Sequence, residues 1–352
     1  MDKDKAKRFM GTMLGTLNGG SLALMLSVGH RTGLFDTMAP LGPVTSDQLA
    51  EAAGLDERYV REWLAAMTAG EIVEFSPGDK TYVLPEEHAT LVTRAGGPLN
   101  IASTMQYIGL LGQVEDDVVE AFTTGAGVSY DRYPAFQALM AEQSGARFDA
   151  GLLQETLPAI DGLTDRLTSG IDVADIGCGS GHALVLMAQA YPQSSFTGYD
   201  FSDDAVTMAR SAASQAELPN LTFVARDAAS IDATDGYDFI TTFDAIHDQA
   251  HPATVLDNIA RALRDDGTYL CVEPKAASAL EDNLDDPIGA YLYTVSTMHC
   301  MSVSIAGGGE GLGTAWGTER TLEHLADAGF GNVKPHVRKA DRTNTHFVCR
   351  KS

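Results

Sequence analysis

Basic residues are scarce. The 352 residues include 24 Lys and Arg against 48 Asp and Glu, a formal net charge of −24. Such a field repels phosphate backbones and anionic membrane surfaces, which argues against broad nucleic-acid or membrane binding. It leaves room for a small zwitterionic ligand, whose site is local. Cysteine is scarce as well: Cys178, Cys271, Cys300 and Cys349 are scattered, and no two stand at a CxxC spacing. This excludes a disulfide framework and points to reduced thiols in a cytoplasmic protein. Long apolar runs are missing. The stretch "SLALMLSVG" falls far short of the ~20 residues of a membrane span, and "MDKDKAKRF" has no cleavage pattern behind it, so neither a span nor a signal peptide is expected. Long repeats and low-complexity tracts are absent. What remains is an ordinary globular composition, 44% apolar and 20% charged, with enough chain for two or three domains of about 100–200 residues each.

Three segments follow from local patterning. In residues 1–96, an apolar spacing predicts a helix over 20–36. "TSDQLAEAAGLDERYVREWLAAMTAGEIVEF" then reads as a helix over 47–53 capped by Ser46, a turn at Gly54, and a helix over 57–69 capped by Asp56. Gly70 ends it, and short strands at 71–75 and 81–84 complete a winged-helix pattern. From Thr45 to Ala95 there are ten acidic and four basic residues, a net of −6, and the second helix opens with Asp56 and Glu57. DNA contact needs Lys and Arg at that place, so a dimerisation role is the better reading. Residues 97–168 carry helical spacing in "VEDDVVEAF", "YPAFQALMAEQSGARFD" and "GLLQETLPAI", and read as a linker that roofs the active site. In residues 169–352 the short strands "DVADIG", "SFTGYD", "LTFVARD", "YDFITTFDAI" and "GTYLCVEP" alternate with helices starting at Ser202 and Pro252. Alternation of this kind makes a Rossmann-like, doubly wound, mostly parallel α/β sheet. "VKPHVR" and "THFVCRK" would close it as an antiparallel pair. Ligands of such sheets sit at the carboxyl ends of the strands.

The first of these strands ends in "ADIGCGSGHA", where Gly177, Gly179 and Gly181 alternate behind the acidic Asp175. Glycine allows a tight turn and a close approach of backbone to ligand. A dinucleotide fingerprint would read G-x-G-x-x-G, but its sixth position here is His182. The pattern is G-x-G-x-G, and an acid beside it suits a ligand carrying positive charge. At this point the sequence resembles the class I S-adenosylmethionine-dependent methyltransferases. In that family an acid at the end of the second strand binds the ribose hydroxyls, and Asp200 in "FTGYD" stands there, 25 positions after Asp175. An acid at the end of the third strand lies near the adenine amine, and Asp227 in "FVARDA" matches it. The resemblance also counts their following neighbours, Phe201 and Ala228, in the cofactor site.

The resemblance narrows to plant and bacterial small-molecule O-methyltransferases, which place a winged-helix dimerisation domain before a seven-stranded methyltransferase sheet. It covers most of the chain. Their "HDW" motif supplies the histidine base; here His247-Asp248 matches two letters, with Gln249 in place of Trp. Some members carry Lys four residues before the His, where this chain has Phe243. Their fifth strand ends in a Glu beside that His, matched by Glu273 in "YLCVEP", and a "KERT"-like segment supplies a second flanking acid, matched by Glu319 in "WGTERTLEHLADAGF". By the same likeness Phe136 and Met140 line the acceptor pocket, and Tyr293 and His299 reach it from the segment before the last helix. The implied protein is a homodimer that methylates a small molecule at a hydroxyl oxygen, with His247 as general base. Histidine suits the task because it titrates near neutrality. His299 is the alternative base. Methylation at N, S or C, and a winged-helix regulator that merely binds S-adenosylmethionine, are the competing readings. The glycine run Gly307–Gly313 reads as a mobile loop.

One stretch tempts a different reading. "FDAIHDQAHP" spaces Asp244, His247, Asp248 and His251 as i, i+3, i+4 and i+7, one face of a helix. Its first residues end a strand, however, and Pro252 disfavours helix at His251 while suiting the first turn of the next helix. The spacing is then accidental, no metal is expected, and His247 alone faces the reacting groups.

Overall fold

The computed structural model describes residues 1–231 and 236–352. It contains two compact units, Met1–Gly112 and Gln113–Ser352.

The first unit holds the winged helix. The helix Ser46–Ala53 is capped by Thr45, one residue earlier than its sequence suggests, through a reciprocal box with Gln48. Gly54 takes the left-handed conformation at φ 66°, and Asp56 caps the helix Glu57–Ala69 by accepting the Arg58 N–H. The antiparallel wing is β1 (Glu74–Ser76) and β2 (Thr81–Val83). Val60, Trp63, Leu64 and Met67 bury one face of the second helix against Phe35, Met38 and Leu49, and Trp63 Nε1 donates to the Met25 carbonyl at 2.9 Å.

The helix expected over 20–36 is different in kind. It runs from Lys3 to Arg31 and stops at Thr32–Gly33, with Gly33 at φ 73°, before a short helix Leu34–Met38. Glycines 11, 15, 19 and 20 lie inside it, and each costs about 1 kcal/mol relative to alanine, which is why the sequence understates its length. Phe9, Met10, Met13, Leu14 and Leu17 are exposed along it. By length and composition alone this helix could cross a membrane, which the shorter run "SLALMLSVG" did not suggest.

The second unit is built on a seven-stranded sheet in the order β5-β4-β3-β6-β7-β9-β8. Its strands are β3 (Asp172–Ile176), β4 (Ser195–Asp200), β5 (Leu221–Ala225), β6 (Tyr237–Phe243), β7 (Leu263–Pro274), β8 (Phe330–His336) and β9 (Asn344–Lys351). The pairs from β5 through β7 are parallel, and β9 runs antiparallel to both β7 and β8. Apolar clusters cover both faces, as a parallel sheet requires. Ser202 caps the helix Asp203–Gln215 through the Ala205 N–H, and Pro252 opens the helix Pro252–Ala262 at its first position. The chain reverses direction in the sheet beside β3, with β4 on one side and β6 on the other. The carboxyl ends of β3, β4, β6 and β7 therefore converge on one edge, where ligands of open α/β sheets bind.

Candidate active site

The glycine loop forms the floor of this edge. Gly177, Gly179 and Gly181 have φ of 73°, 52° and 77°, a region costly to any residue with a Cβ. A Cβ on Gly177 would lie 2.6 Å from Ala245 Cβ, and one on Gly181 would lie 2.4 Å from Phe223 Cζ. A Cβ on Gly179 would meet nothing within 4 Å. Two of the three glycines are thus needed by packing, and Gly179 faces open space. Asp200 braces the loop: its Oδ2 accepts the Gly179 N–H at 2.8 Å and its Oδ1 accepts the Ser202 N–H at 2.9 Å.

Acidic groups crowd the same edge. Asp175 is 2% exposed, and its Oδ1 accepts the Thr241 hydroxyl proton at 2.7 Å. Burial pushes its carboxyl up to about 7, against the Thr241 hydrogen bond and with help from Asp200. Burial also raises Asp200, although the Ser202 and Gly179 amides hold it back. Asp248 is pushed up to about 6 by burial; His247 opposes that shift, while Glu273 and Asp200 add to it. Carboxyls that raise one another's pKa favour a cation between them. A ligand with an ammonium and a sulfonium fits this donor set, and a pyrophosphate does not. Asp227 sits at the end of β5, exposed, with Oδ1 accepting the Ala229 N–H at 2.8 Å; Ala228 beside it is buried. Phe201 is exposed at the end of β4.

Opposite the glycines, the loop after β6 carries His247, 5% exposed. Its Nδ1 lies 2.7 Å from Glu273 Oε2. The pairing follows from topology: Phe243 is in register with Val272, so the residues beyond them leave adjacent strand ends together. Glu273 Oε1 accepts the Ile246 N–H at 2.9 Å, and its Oε2 also accepts Trp316 Nε1–H at 3.2 Å. Burial disfavours a charged imidazole here, but Glu273 and, after it, the neighbouring Cys300 outweigh it, and His247 is raised well above the usual histidine range.

The helix Phe136–Gly151 is anchored to the same edge. Arg147 bonds Asp244 at 2.6 Å, and Asn344 bonds the same Asp244 oxygen at 3.2 Å. Asp244 stands at φ 53°, an unfavourable conformation for a non-glycine residue that these bonds offset. Phe136 at the start of this helix stacks on His299, with centroids 3.8 Å apart and planes at 14°. Tyr133 and Tyr130 meet the His299 ring edge-on at 4.6 and 5.6 Å, and Tyr130 also meets Phe201 at 5.3 Å. Met140 lies half-buried one turn beyond Phe136. The glycine run 307–313 is pinned rather than free. Gly313 N–H donates to the His247 carbonyl at 3.1 Å, Ser304 Oγ to the Gln249 carbonyl at 2.8 Å, and Gly311 N–H to Ser304 Oγ at 3.1 Å.

Two residues taken from the sequence are not brought to this cluster. Glu319 is exposed, and its Oε2 accepts the Ser278 N–H at 2.8 Å, which holds its carboxyl below the usual range. The helix starts at Gly317, with Trp316 as its N-cap residue, so Glu319 lies in the first turn and points to a neighbouring loop. The indole of Trp316 fills the place beside Glu273 instead. Tyr293 accepts the Asn283 Nδ2–H at 3.1 Å; Tyr291, two residues earlier, is the tyrosine near Cys300. Trp316, Cys300, Asp248, Tyr130 and Tyr133 were missed. Only Asp248 had a sequence signal, as His247's neighbour.

Residues 20–94 match a family described as an Rv2258c-like winged helix-turn-helix domain, and residues 167–334 match a methyltransferase domain. Over 146 residues the chain is 27% identical to the malonyl-[acyl-carrier protein] O-methyltransferase of Bacillus cereus, covering 42% of this chain and 48% of that one. The chain thus spans about half the length of that relative. The structure of the mitomycin 7-O-methyltransferase is similar at a TM-score of 0.72 and 16% identity, covering 100% of both chains. Human N-acetylserotonin methyltransferase in complex with S-adenosylmethionine is similar at a TM-score of 0.66 and 20% identity, covering 99% of this chain and 98% of that one. At these identities the structural likeness is one of fold. The chain thus carries a winged-helix domain followed by a methyltransferase domain.

Proposed function

We propose that the protein transfers the methyl group of S-adenosylmethionine to a hydroxyl oxygen of a small molecule, with His247 as general base. The observation that carries this reading is the buried His247–Glu273 pair, 2.7 Å apart, at the carboxyl edge of the sheet next to the glycine loop. The cofactor supplies a methyl group already activated by its sulfonium. The chain has to hold the cofactor, orient the acceptor and take a proton. In this reading Gly177, Gly179 and Gly181 let backbone approach the cofactor, and Asp175 and Asp200 favour its positive end and ribose. Phe201, Asp227 and Ala228 border the adenosine. Glu273 accepts Nδ1–H, so Nε2 of the neutral ring is the nitrogen that takes the acceptor's proton, and Trp316 fixes the carboxylate. Phe136, Met140 and His299 wall the acceptor side.

Against the opposing effect of burial, the charge of Glu273 beside His247 raises it above the usual range, which favours the protonated form. A positive sulfonium near it favours the neutral form. The same feature favours a second reading, transfer to N, S or C, in which the imidazolium only donates a hydrogen bond. Two measurements decide. His247→Ala should bind S-adenosylhomocysteine as the parent does and lose turnover by about 10²–10⁴-fold; unchanged turnover rejects the base. A kcat that rises as His247 loses its proton supports oxygen, and a flat profile supports the second reading.

We further propose a cytoplasmic homodimer, with the exposed apolar stripe Phe9–Leu17 covered by a second copy rather than by lipid or DNA. The acidic balance of residues 45–95 supports that choice. Light scattering of the parent and of Leu14→Asp tests it: a parent monomer, or a variant that stays dimeric, rejects this interface.

A further inference from the structure

Ser296–Cys300 winds as a single π-helical turn between the helices Gly289–Val295 and Met301–Ala306. Such turns are rare and recur at functional sites. This one sends two consecutive side chains inward: Cys300 to the side of His247, and His299 into the ring cluster of Tyr130, Tyr133 and Phe136. His299 is 0% exposed, and among the described residues neither Nδ1 nor Nε2 has a hydrogen-bond partner. Buried polar atoms are nearly always partnered, and an orphan pair on one ring calls for an explanation. Packing does not give one, since phenylalanine would stack on Phe136 with nothing left unpaired. The ring is tied to Phe201 at the cofactor edge through Tyr130, and to His247 through its neighbour Cys300.

We propose that His299 is the specificity-determining residue of the acceptor site: one of its ring nitrogens hydrogen-bonds a second polar group, hydroxyl or carbonyl, on a flat acceptor whose reacting hydroxyl meets His247. The proposal rests on the methyltransferase reading above. Burial, and then the charge of His247, push His299 down to about 3, so it stays neutral with one donor and one acceptor nitrogen. A hydroxyl, itself donor and acceptor, can pair with either nitrogen. An acceptor without the second group leaves both nitrogens unpaired, the arrangement by which a polar site rejects an analogue lacking a hydroxyl.

The probes are phenol and the three dihydroxybenzenes catechol, resorcinol and hydroquinone. Each is titrated by ligand-observed NMR into the full chain saturated with S-adenosylhomocysteine. The parent should bind at least one diphenol about tenfold or more tighter than phenol. His299→Phe should lose that preference, diphenol binding falling by more than phenol binding, with S-adenosylhomocysteine binding unchanged. In the ¹⁵N-labelled parent, the His299 ring signals should shift with the preferred diphenol and not with phenol, a readout that needs no variant. A parent without the preference, a preference that survives in His299→Phe, or unshifted ring signals each overturn the proposal. Failure of the parent to bind S-adenosylhomocysteine overturns instead the reading on which it rests.

Discussion

Replacing Glu273 by glutamine changes one buried atom and tests the site at its centre. The carboxylate accepts three protons: from Ile246 N–H at 2.9 Å, His247 Nδ1 at 2.7 Å and Trp316 Nε1 at 3.2 Å. An amide offers one oxygen. If that oxygen keeps the Ile246 N–H, the amide NH₂ faces His247, and the ring must move its proton to Nε2. That tautomer cannot accept a proton at Nε2. If the oxygen keeps His247 and Trp316, the NH₂ meets the Ile246 N–H donor to donor. Either way a buried mismatch remains, costing about 1–3 kcal/mol of stability. A general base is worth about 10²–10⁴ in rate, and a tautomer error of this kind reaches the upper end. The variant should therefore bind S-adenosylhomocysteine, melt at a lower temperature and lose kcat by about 10²–10⁴-fold. Stability carries a second signature. Native His247 holds its proton more tightly than the unfolded chain does, where histidine titrates near 6.5. That stabilisation is fully present below about pH 6.5 and is lost as pH rises through the raised native value. Glutamine removes the attraction and leaves burial to lower the pKa. The deficit of the variant, read from urea midpoints, should be largest at about pH 5.5 and should shrink by about pH 9. Turnover within about threefold of the parent, or a deficit that does not change with pH, would refute the assignment of Glu273 as the group that orients and charges His247.

Three further outcomes follow from the same geometry. Asp175 at about 7 and Asp248 at about 6 are partly protonated at about pH 6, and a bound sulfonium and ammonium favour their ionised forms and the neutral form of His247. Calorimetry in buffers of different ionisation heat should show proton release on S-adenosylmethionine binding near pH 6, declining at alkaline pH; proton uptake contradicts the acidic cradle. Gly179→Ala and Gly181→Ala share the positive-φ cost of about 1–2 kcal/mol, but only the second puts a Cβ 2.4 Å from Phe223. Gly181→Ala should lose more thermal stability, and Gly179→Ala should lose cofactor affinity out of proportion to its melting shift; equal melting losses would deny that Gly179 faces the ligand. Glu319→Gln keeps an oxygen for the Ser278 N–H and should retain turnover within about twofold; a loss of tenfold or more would return Glu319 to the reacting groups.

The sheet was readable because its physics is local. Strands buried on both faces read as continuous apolar runs, and the residues that start helices, Ser202 and Pro252, do so by chemistry within a few positions. The glycine loop was readable because three left-handed positions in five demand glycine. His247 and Glu273 were reached through resemblance, and sheet order explains why it succeeds: adjacent parallel strands bring their carboxyl ends together whatever lies between them in sequence. Trp316 escaped because it meets Glu273 across 43 positions through the entry of a helix, with no local pattern to mark it. Tyr130 and Tyr133, which join Phe136 and His299 in one ring cluster, escaped for the same reason, since the tyrosines and Phe136 lie on one segment and His299 on a π turn far along the chain. The long first helix escaped because its glycines lower a local propensity that the folded helix does not obey.

The stretch "FDAIHDQAHP" shows how spacing can mislead even when the residues matter. Helical spacing promises that Asp244, His247, Asp248 and His251 converge. They diverge instead, because each obeys a different neighbour. Asp244 adopts φ 53° and turns to Arg147 and Asn344. His247 turns to Glu273. Asp248 is buried, and its carboxyl feels first the charge of His247 and then those of Glu273 and Asp200. His251 is the N-cap residue ahead of Pro252 and makes no side-chain cap bond. A metal site needs its ligands to point at one centre, and this loop spends its residues on separate tasks. The group that does converge is His247, Glu273 and Trp316, drawn from a loop, a strand end and a helix entry. Such a group is assembled by strand order, so a sequence reading can find it only by knowing which strand ends are neighbours, and Glu319 was mistaken for a member because its position along the chain says nothing about which way the first turn of its helix points.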